Sequence, residues 1–304
     1  MARIYGGQTL APNPWPYDIM DGMPTTTRRQ LGGARKFVRG FLALALLAAV
    51  CGGLTLASMY RQGDFFRYAN PSQWILRGQG RYSFDARQGI LRQGTTRSRV
   101  VALTFDDGPH TTSPELLDIL KRYGAHATFF LVGSNVVQHP DSVKRMLAEG
   151  NDIGNHTRTH LRLPGLRPDQ IRAELNNNTI VIDRAAAYRV RLFRPPGGQF
   201  DDRVTAEAAK EGMLTVLWSN NTGDWQAKDP RWIANRVLSD IQPGDIILLH
   251  EDYPQTLAAM PSILEGLRAR GFRAVTVSAL MRDSGIALPE IRDGVPLGKR
   301  SALK

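Results

Sequence analysis

From Arg99 onward the chain alternates short β-branched or apolar runs with amphipathic stretches, and this alternation limits the fold more than any other feature. The strand-like runs are VVALTF (100–105), ATFFLV (127–132), DIGN (152–155), RLFR (191–194), LTVLWS (214–219), IILLH (246–250) and RAVTV (273–277). Between them lie helical patterns such as SPELLDILKRYG, where Ser113 is the expected N-cap, Pro114 opens the helix and Gly124 stands past its end. PDSVKRMLAEG, PDQIRAELNNNTIVIDRAAAY, DDRVTAEAAKEG, DPRWIANRVLSD and TLAAMPSILEGLRARG follow the same logic. Strands that each lead to a helix predict an α/β fold with about seven parallel strands. A barrel and an open wound sheet suit that number equally, and both gather functional residues at the C-terminal ends of strands.

The N-terminal third differs in kind. Residues 1–100 hold 14 Lys/Arg and 4 Asp/Glu, a net of +10, whereas residues 101–304 hold 25 against 24, a net of +1. A nucleic-acid-binding domain would concentrate its charge on the folded body, so that function is excluded as an expectation. From Gly40 to Tyr60 no residue is charged, and the run is long enough to cross a bilayer as a helix. Arg28, Arg29, Arg35, Lys36 and Arg39 precede it, which favours a cytoplasmic N-terminus and a body on the outer side of the cytoplasmic membrane. The polar segment ahead of the run is longer than a cleaved signal peptide requires, so an uncleaved single-pass anchor is expected. The chain thus divides into a cytoplasmic tail (1–36), a transmembrane signal anchor (37–60) and a basic linker (61–98) ahead of the α/β body. The single cysteine, Cys51, lies inside the apolar run, so the exported body holds itself together without an internal disulfide.

Polar residues cluster at the predicted strand ends. Asp106 and Asp107 close the first strand, His156 follows the third, Arg194 ends the fourth, Asp224 follows the fifth and His250 ends the sixth. Two adjacent carboxylates repel, and burial disfavours both, so the pair needs a partner. In NHTRTH (155–160) His156 and His160 are four apart. Two neutral imidazoles and one carboxylate are a frequent set for a catalytic divalent ion. One aspartate then binds the ion while its neighbour stays free as a base. Side chains adjacent on a strand point to opposite faces, so Gly108-Pro109 is expected to turn the backbone and bring both carboxylates inward.

The motifs TFDDGP (104–109), HTRTH (156–160), FRPPGG (193–198), DW (224–225) and LLH (248–250) together resemble the polysaccharide deacetylase, or NodB-homology, family (carbohydrate esterase family 4). The resemblance covers roughly residues 98–280 and implies an irregular (β/α) barrel, with a catalytic domain over 99–282 and a C-terminal tail over 283–304. It implies that Asp107, His156 and His160 hold the metal, usually zinc, with cobalt or nickel suited to the same donors. Asp106 would take a proton from water on that metal, and His250 would protonate the leaving amine of an N-acetylated sugar. Arg194 would pair with Asp106 and Asp224 with His250. A backbone N–H near Gly197 would meet the oxyanion, and Trp225 and Leu248 would wall the acetyl pocket. The family often carries an aromatic residue where Gly197 stands, so the sugar loses a wall on that side.

The implied activity is removal of acetyl groups from a polysaccharide or oligosaccharide containing N-acetylglucosamine. A non-catalytic carbohydrate-binding protein on the same fold is the alternative. A glycosidase would need two carboxyls about 5–10 Å apart and would leave the histidine pair without a task. His110, His126 and His139 are expected to be solvated, Glu251 and Asp252 to lie in a solvated loop, and Trp218 to be core. Asn176, Asn177 and Asn178 weaken a predicted helix without an assigned reason.

Overall fold

The computed structural model describes residues 83–227 and 229–287. The expected tail, the anchor with its apolar run 40–60, and the chain from residue 288 lie outside the described residues. Among the described residues no helix is long and apolar enough to cross a membrane.

The sheet is organised around β3 (Val100–Asp106), whose seven residues are all buried, as its unbroken apolar run predicts. Parallel to it runs β9 (Ile246–His250) on one edge; the other edge is shared, with β4 (Thr128–Leu131) along its C-terminal half and β10 (Arg273–Val275) along its N-terminal half. Beyond β4 come β5 (Asp152–Asn155), β6 (Leu192–Phe193) and β7 (Leu214–Val216), all parallel, and β8 (Asn220–Asn221) pairs with the outer edge of β9. The strands curl into a half-barrel. The seven predicted strands are all present; β5 and β9 have the expected bounds, and the others differ at an end by one to three residues.

Two strands come from the segment expected to be linker. β1 (Phe84–Asp85) and β2 (Ile90–Leu91) form an antiparallel hairpin, and β2 pairs with β7. The folded body therefore begins before residue 99. Two-residue strands are too short for their alternation to show in sequence. After β2 the chain crosses to the start of β9, where Gln93 bridges Asp245 and the Gly94 N–H donates to the Gly244 carbonyl at 2.8 Å.

The helices are α1 (Ser113–Tyr123), α2 (Gly133–Gln138), α3 (Pro140–Ala148), α4 (Pro168–Ala186), α5 (Asp202–Lys210), α6 (Pro230–Leu238), α7 (Pro254–Ala269) and α8 (Val277–Asp283), and the outer face is covered by helices other than α8. α2 and α8 were not expected; both are under eight residues. The N-cap of α1 is Thr112 rather than Ser113, whose hydroxyl instead accepts the His110 N–H at 2.8 Å. Gly124 ends the helix in the left-handed conformation, as anticipated.

The alternation of β3 splits the core in two. Val101, Leu103 and Phe105 join Leu117, Phe129 and Ile263 beneath the helices. Val100 and Ala102, on the opposite face, pack inside the curl with Phe130, Val216 and Ile246, and α8 covers them through Val277, Leu280 and Met281. Thr104 and Asp106 continue that inner face upward, so the interior changes from apolar to polar toward the C-terminal ends of the strands.

Gly244 sits at φ +84, and a β-carbon there would collide with the carbonyl of Gly94. Gly244→Ala should therefore cost at least about 2 kcal/mol, from left-handed strain plus a displaced backbone contact. Urea unfolding of the variant against the parent chain measures this.

Candidate active site

Arg194 leaves β6 and enters the interior completely buried. One terminal nitrogen donates to Asp106 Oδ1 at 2.7 Å and to Thr104 Oγ1 at 2.9 Å. Nε and the other terminal nitrogen donate to the carbonyls of Val216 (3.2 Å) and Leu217 (3.1 Å). The guanidinium lies 4.1 Å from the centre of the Phe130 ring. Burial pulls its pKa down, and Asp106 pulls it back up. The ion pair and these hydrogen bonds offset the cost of burying the guanidinium.

Both aspartates face inward, as expected, because the backbone turns at Asp107 itself, which adopts φ +72. The turn expected at Gly108-Pro109 thus starts one residue earlier, and the Gly108–Pro109 peptide is cis. Asp107 Oδ1 lies 3.4 Å from His156 Nε2 and 3.2 Å from His160 Nε2. Asp106 Oδ2 stands 3.8 Å from His156 Nε2. Thr157 and His160 are also left-handed, at φ +68 and +60. Such conformations are costly for residues other than glycine and gather where a site is held by its surroundings.

His156 is buried, and its Nδ1 lies 2.7 Å from the Arg194 carbonyl. A carbonyl only accepts, so Nδ1 carries a proton there, and Nε2 is the ring nitrogen that faces Asp107. Burial pushes the Asp107 carboxyl up, but the imidazoles of His156 and His160 more than offset this and hold it far below the ordinary carboxylate range. Asp107 Oδ1 is buried and makes no hydrogen bond. An orphaned anionic oxygen facing two imidazole nitrogens fits a cation, and the three ligand atoms lie within 4.8 Å of one another. Asp107, His156 and His160 are thus a candidate metal set.

His250 follows the register of β3 and β9, which sets it directly beside Asp106. Its Nδ1 is 2.8 Å from Asp224 Oδ1, and its backbone N–H donates to Asp224 Oδ2 at 2.7 Å. Asp224 is fully buried and also accepts from the hydroxyls of Thr256 (2.7 Å) and Thr222 (3.2 Å). Trp225 meets the His250 ring edge-on at 5.1 Å, and Tyr253 does so at 5.9 Å. Leu248 is buried on the His250 side of β9. Gly197 lies in a single 3-10 turn (Pro196–Gly198) at φ +61, and a β-carbon there would touch only Gln199, at 3.8 Å. That side of the site is open.

Some site residues escaped the sequence reading. Asn135 Nδ2 holds the Asp107 carbonyl at 2.6 Å. His110 and His139, expected to be merely solvated, line a groove of about 410 Å³ with Asp107, His160 and Asp252. Glu251 is not in a solvated loop: it is buried, and burial pushes its carboxyl up to about 7. Trp218 is not core alone, since its ring lies 5.6 Å from the Arg194 guanidinium. Asn178 accounts for one member of the asparagine run. Its Nδ2 donates to the Leu131 carbonyl (2.8 Å) and to Asn155 Oδ1 (3.0 Å), and the same Asn155 Oδ1 accepts the Thr157 N–H at 2.8 Å. These bonds hold the start of the His156–His160 loop. Only the dyad Asn155…Asn178 across a helix and a strand end makes this bond, and linear spacing does not reveal it.

Residues 93–216 match the family model described as polysaccharide deacetylase. The peptidoglycan-N-acetylglucosamine deacetylase of Bacillus cereus is 40% identical over 190 residues, which are 60% of this chain and 89% of that protein. A chitooligosaccharide deacetylase of Bradyrhizobium is 36% identical over 191 residues, covering 58% of this chain and 87% of that one. Among solved structures, a CE4 family pseudoenzyme from Bacillus anthracis aligns with a TM-score of 0.61 at 30% identity, covering 63% of this chain and 68% of that one. A half-barrel of this design, with this identity spread over nearly all of the first relative, defines a class of glycan-processing hydrolases. This chain belongs to the polysaccharide deacetylase family.

Asn178→Ala removes two buried hydrogen bonds and should destabilise the protein by about 1–3 kcal/mol. Exposed Asn177→Ala should stay within about 0.5 kcal/mol of the parent. Chemical denaturation of the two variants side by side tests the contrast.

Proposed function

We propose that this chain is a divalent-metal-dependent N-deacetylase. It removes acetyl groups from N-acetylglucosamine residues of an envelope glycan and is held at the outer side of the cytoplasmic membrane by residues 40–60. The observation that supports this most is the convergence of Asp107, His156 and His160 within 4.8 Å, next to an Asp106 that already has its own cation in Arg194. The names of the relatives, peptidoglycan and chitooligosaccharide deacetylases, support the acetamide as the target. The charge-free run 40–60, with basic residues ahead of it, supports the anchor.

Asp107, His156 and His160 hold the ion, which we assign as zinc; cobalt and nickel share its donors. The ion, once bound, acidifies water and polarises the acetamide carbonyl. Asp106 takes the proton of the attacking water, and the Arg194 hydrogen bond holds that carboxylate in place. The Gly197 N–H donates to the carbonyl oxygen as charge builds on it. Trp225 and Leu248 confine the acetyl group. His250 gives its proton to the departing nitrogen as the carbon–nitrogen bond breaks, which leaves acetate and a free amino sugar. Asp224 holds the His250 ring in place and stabilises its cation.

One observation favours a second reading. The likeness to a pseudoenzyme of the same family supports a carbohydrate-binding protein without catalysis. The full chain, loaded with zinc, should release acetate from peptidoglycan or chitooligosaccharide. A chelator should stop the release and added zinc restore it. Asp106→Asn should lower kcat by about 10²–10⁴-fold while zinc stays bound. Glycan binding at full metal occupancy without acetate would establish the second reading instead.

The pH dependence follows from His250. Burial pushes its imidazole down, but the hydrogen bond and charge of Asp224, with Asp106 and Asp107 nearby, raise it to about 9. The acid form therefore persists through neutral pH, and the rate should fall as pH rises through about 9. Asp224→Asn removes the carboxylate and leaves the burial, so the alkaline limb of kcat should move down by about 1–3 pH units. A pH–rate profile of the variant that superimposes on the parent's would remove His250 from this role.

A further inference from the structure

The loop from Asp107 to Ser113 carries one of the three metal-binding candidates, and Asp107 is held in a conformation its own backbone disfavours. Something must hold it there. From the β4 side the loop is tied by the Val132 N–H, which donates to the Gly108 carbonyl at 2.9 Å, and by Asn135. On the opposite side stands Glu251, the first residue after β9.

Glu251 touches this loop along its whole length. Its N–H donates to the Asp106 carbonyl at 3.1 Å. Its carbonyl accepts the Thr112 hydroxyl at 2.6 Å. Its Oε1 accepts the Ser113 hydroxyl, which itself accepts the His110 N–H at 2.8 Å. Its Oε2 lies so close over Gly108 that any β-carbon there would collide with it. The side chain is 2% exposed, so it lies beneath the loop rather than facing the groove. A carboxyl in this position fills the space under the peptide that follows Asp107. Nothing in the mechanism uses it as an acid or a base.

We infer that Glu251 is a positioning residue: it braces the Asp107–Ser113 loop from below and so sets Asp107 against His156 and His160. Because Glu251 directly follows His250, the same brace links the ligand loop to the residue assigned as general acid. This rests on the metal-dependent reading above. A brace that acts by reach and hydrogen bonding predicts an order of variants. Glu251→Gln keeps the length and the acceptor. Glu251→Asp keeps the charge and draws back by one methylene. Glu251→Ala removes both.

The test is zinc affinity of the full chain, measured by competition with a chromogenic chelator, alongside kcat and KM for acetate release. Zinc affinity should fall about 10–100-fold in Glu251→Ala, as for other residues that orient a metal ligand, by less in Glu251→Asp and within about 3-fold of the parent in Glu251→Gln. The loss in rate should appear in kcat with KM little changed. Equal zinc affinity in the parent and Glu251→Ala, with only a lower melting temperature, would make Glu251 an ordinary buried residue and overturn the inference. So would a Glu251→Gln variant as weak as Glu251→Ala. Should Glu251→Ala fail to fold, Ser113→Ala carries the test: a loss of about 10-fold in zinc affinity supports the brace, and an affinity within about 3-fold of the parent overturns it. A parent chain that binds no zinc at all would defeat the metal-dependent reading itself, which is a separate result.

Discussion

A guanidinium with no access to water is the constraint around which this molecule is arranged. Arg194 reaches β3 through Thr104 and Asp106, the end of β7 through Val216 and Leu217, and the aromatic face of Phe130 on β4. Its own carbonyl orients His156. One residue thus holds Asp106 by its side chain and a metal-binding candidate by its backbone. Leaving such a charge without its partner costs about 3–5 kcal/mol, so stability and chemistry are bound to the same contacts. An apolar replacement of both partners would leave the Val216 and Leu217 carbonyls without their donors.

The rest of the site follows from strand register. Asp106 and His250 are neighbours because β3 and β9 pair in parallel, Thr104 beside Leu248 and Asp106 beside His250. Asp224 arrives from the loop after β8 and is surrounded by donors from Thr222, Thr256 and the backbone of His250. The helices bury the outer face independently of this. The outer core and the polar rim of the inner face therefore answer to different demands, and the sheet could keep its fold with its chemistry removed.

Much of this was legible in the sequence because it depends on period and order. β3, β4 and β9 announce themselves as largely apolar runs. The carboxylates, imidazoles and arginine that matter all stand at the ends of such runs. What was not legible depends on long-range pairing. β1 and β2 are two residues each and exist only because β7 offers an edge. β8 is a pair of asparagines, poor strand formers, held by β9. Glu251 and Asp252 look alike in sequence, yet the first is buried under a loop and the second lines a groove. Asn178 is distinguished from Asn177 only by which side of α4 it occupies.

Asp107, Thr157 and His160 share an unusual backbone twist, and it bears on how this arrangement could be moved elsewhere. Grafting the acid and the two imidazoles onto another α/β scaffold by side-chain replacement alone would aim them along ordinary torsions and away from a common point. A successful transplant would have to bring two short stretches of main chain, with their supporting amides, as well as three side chains.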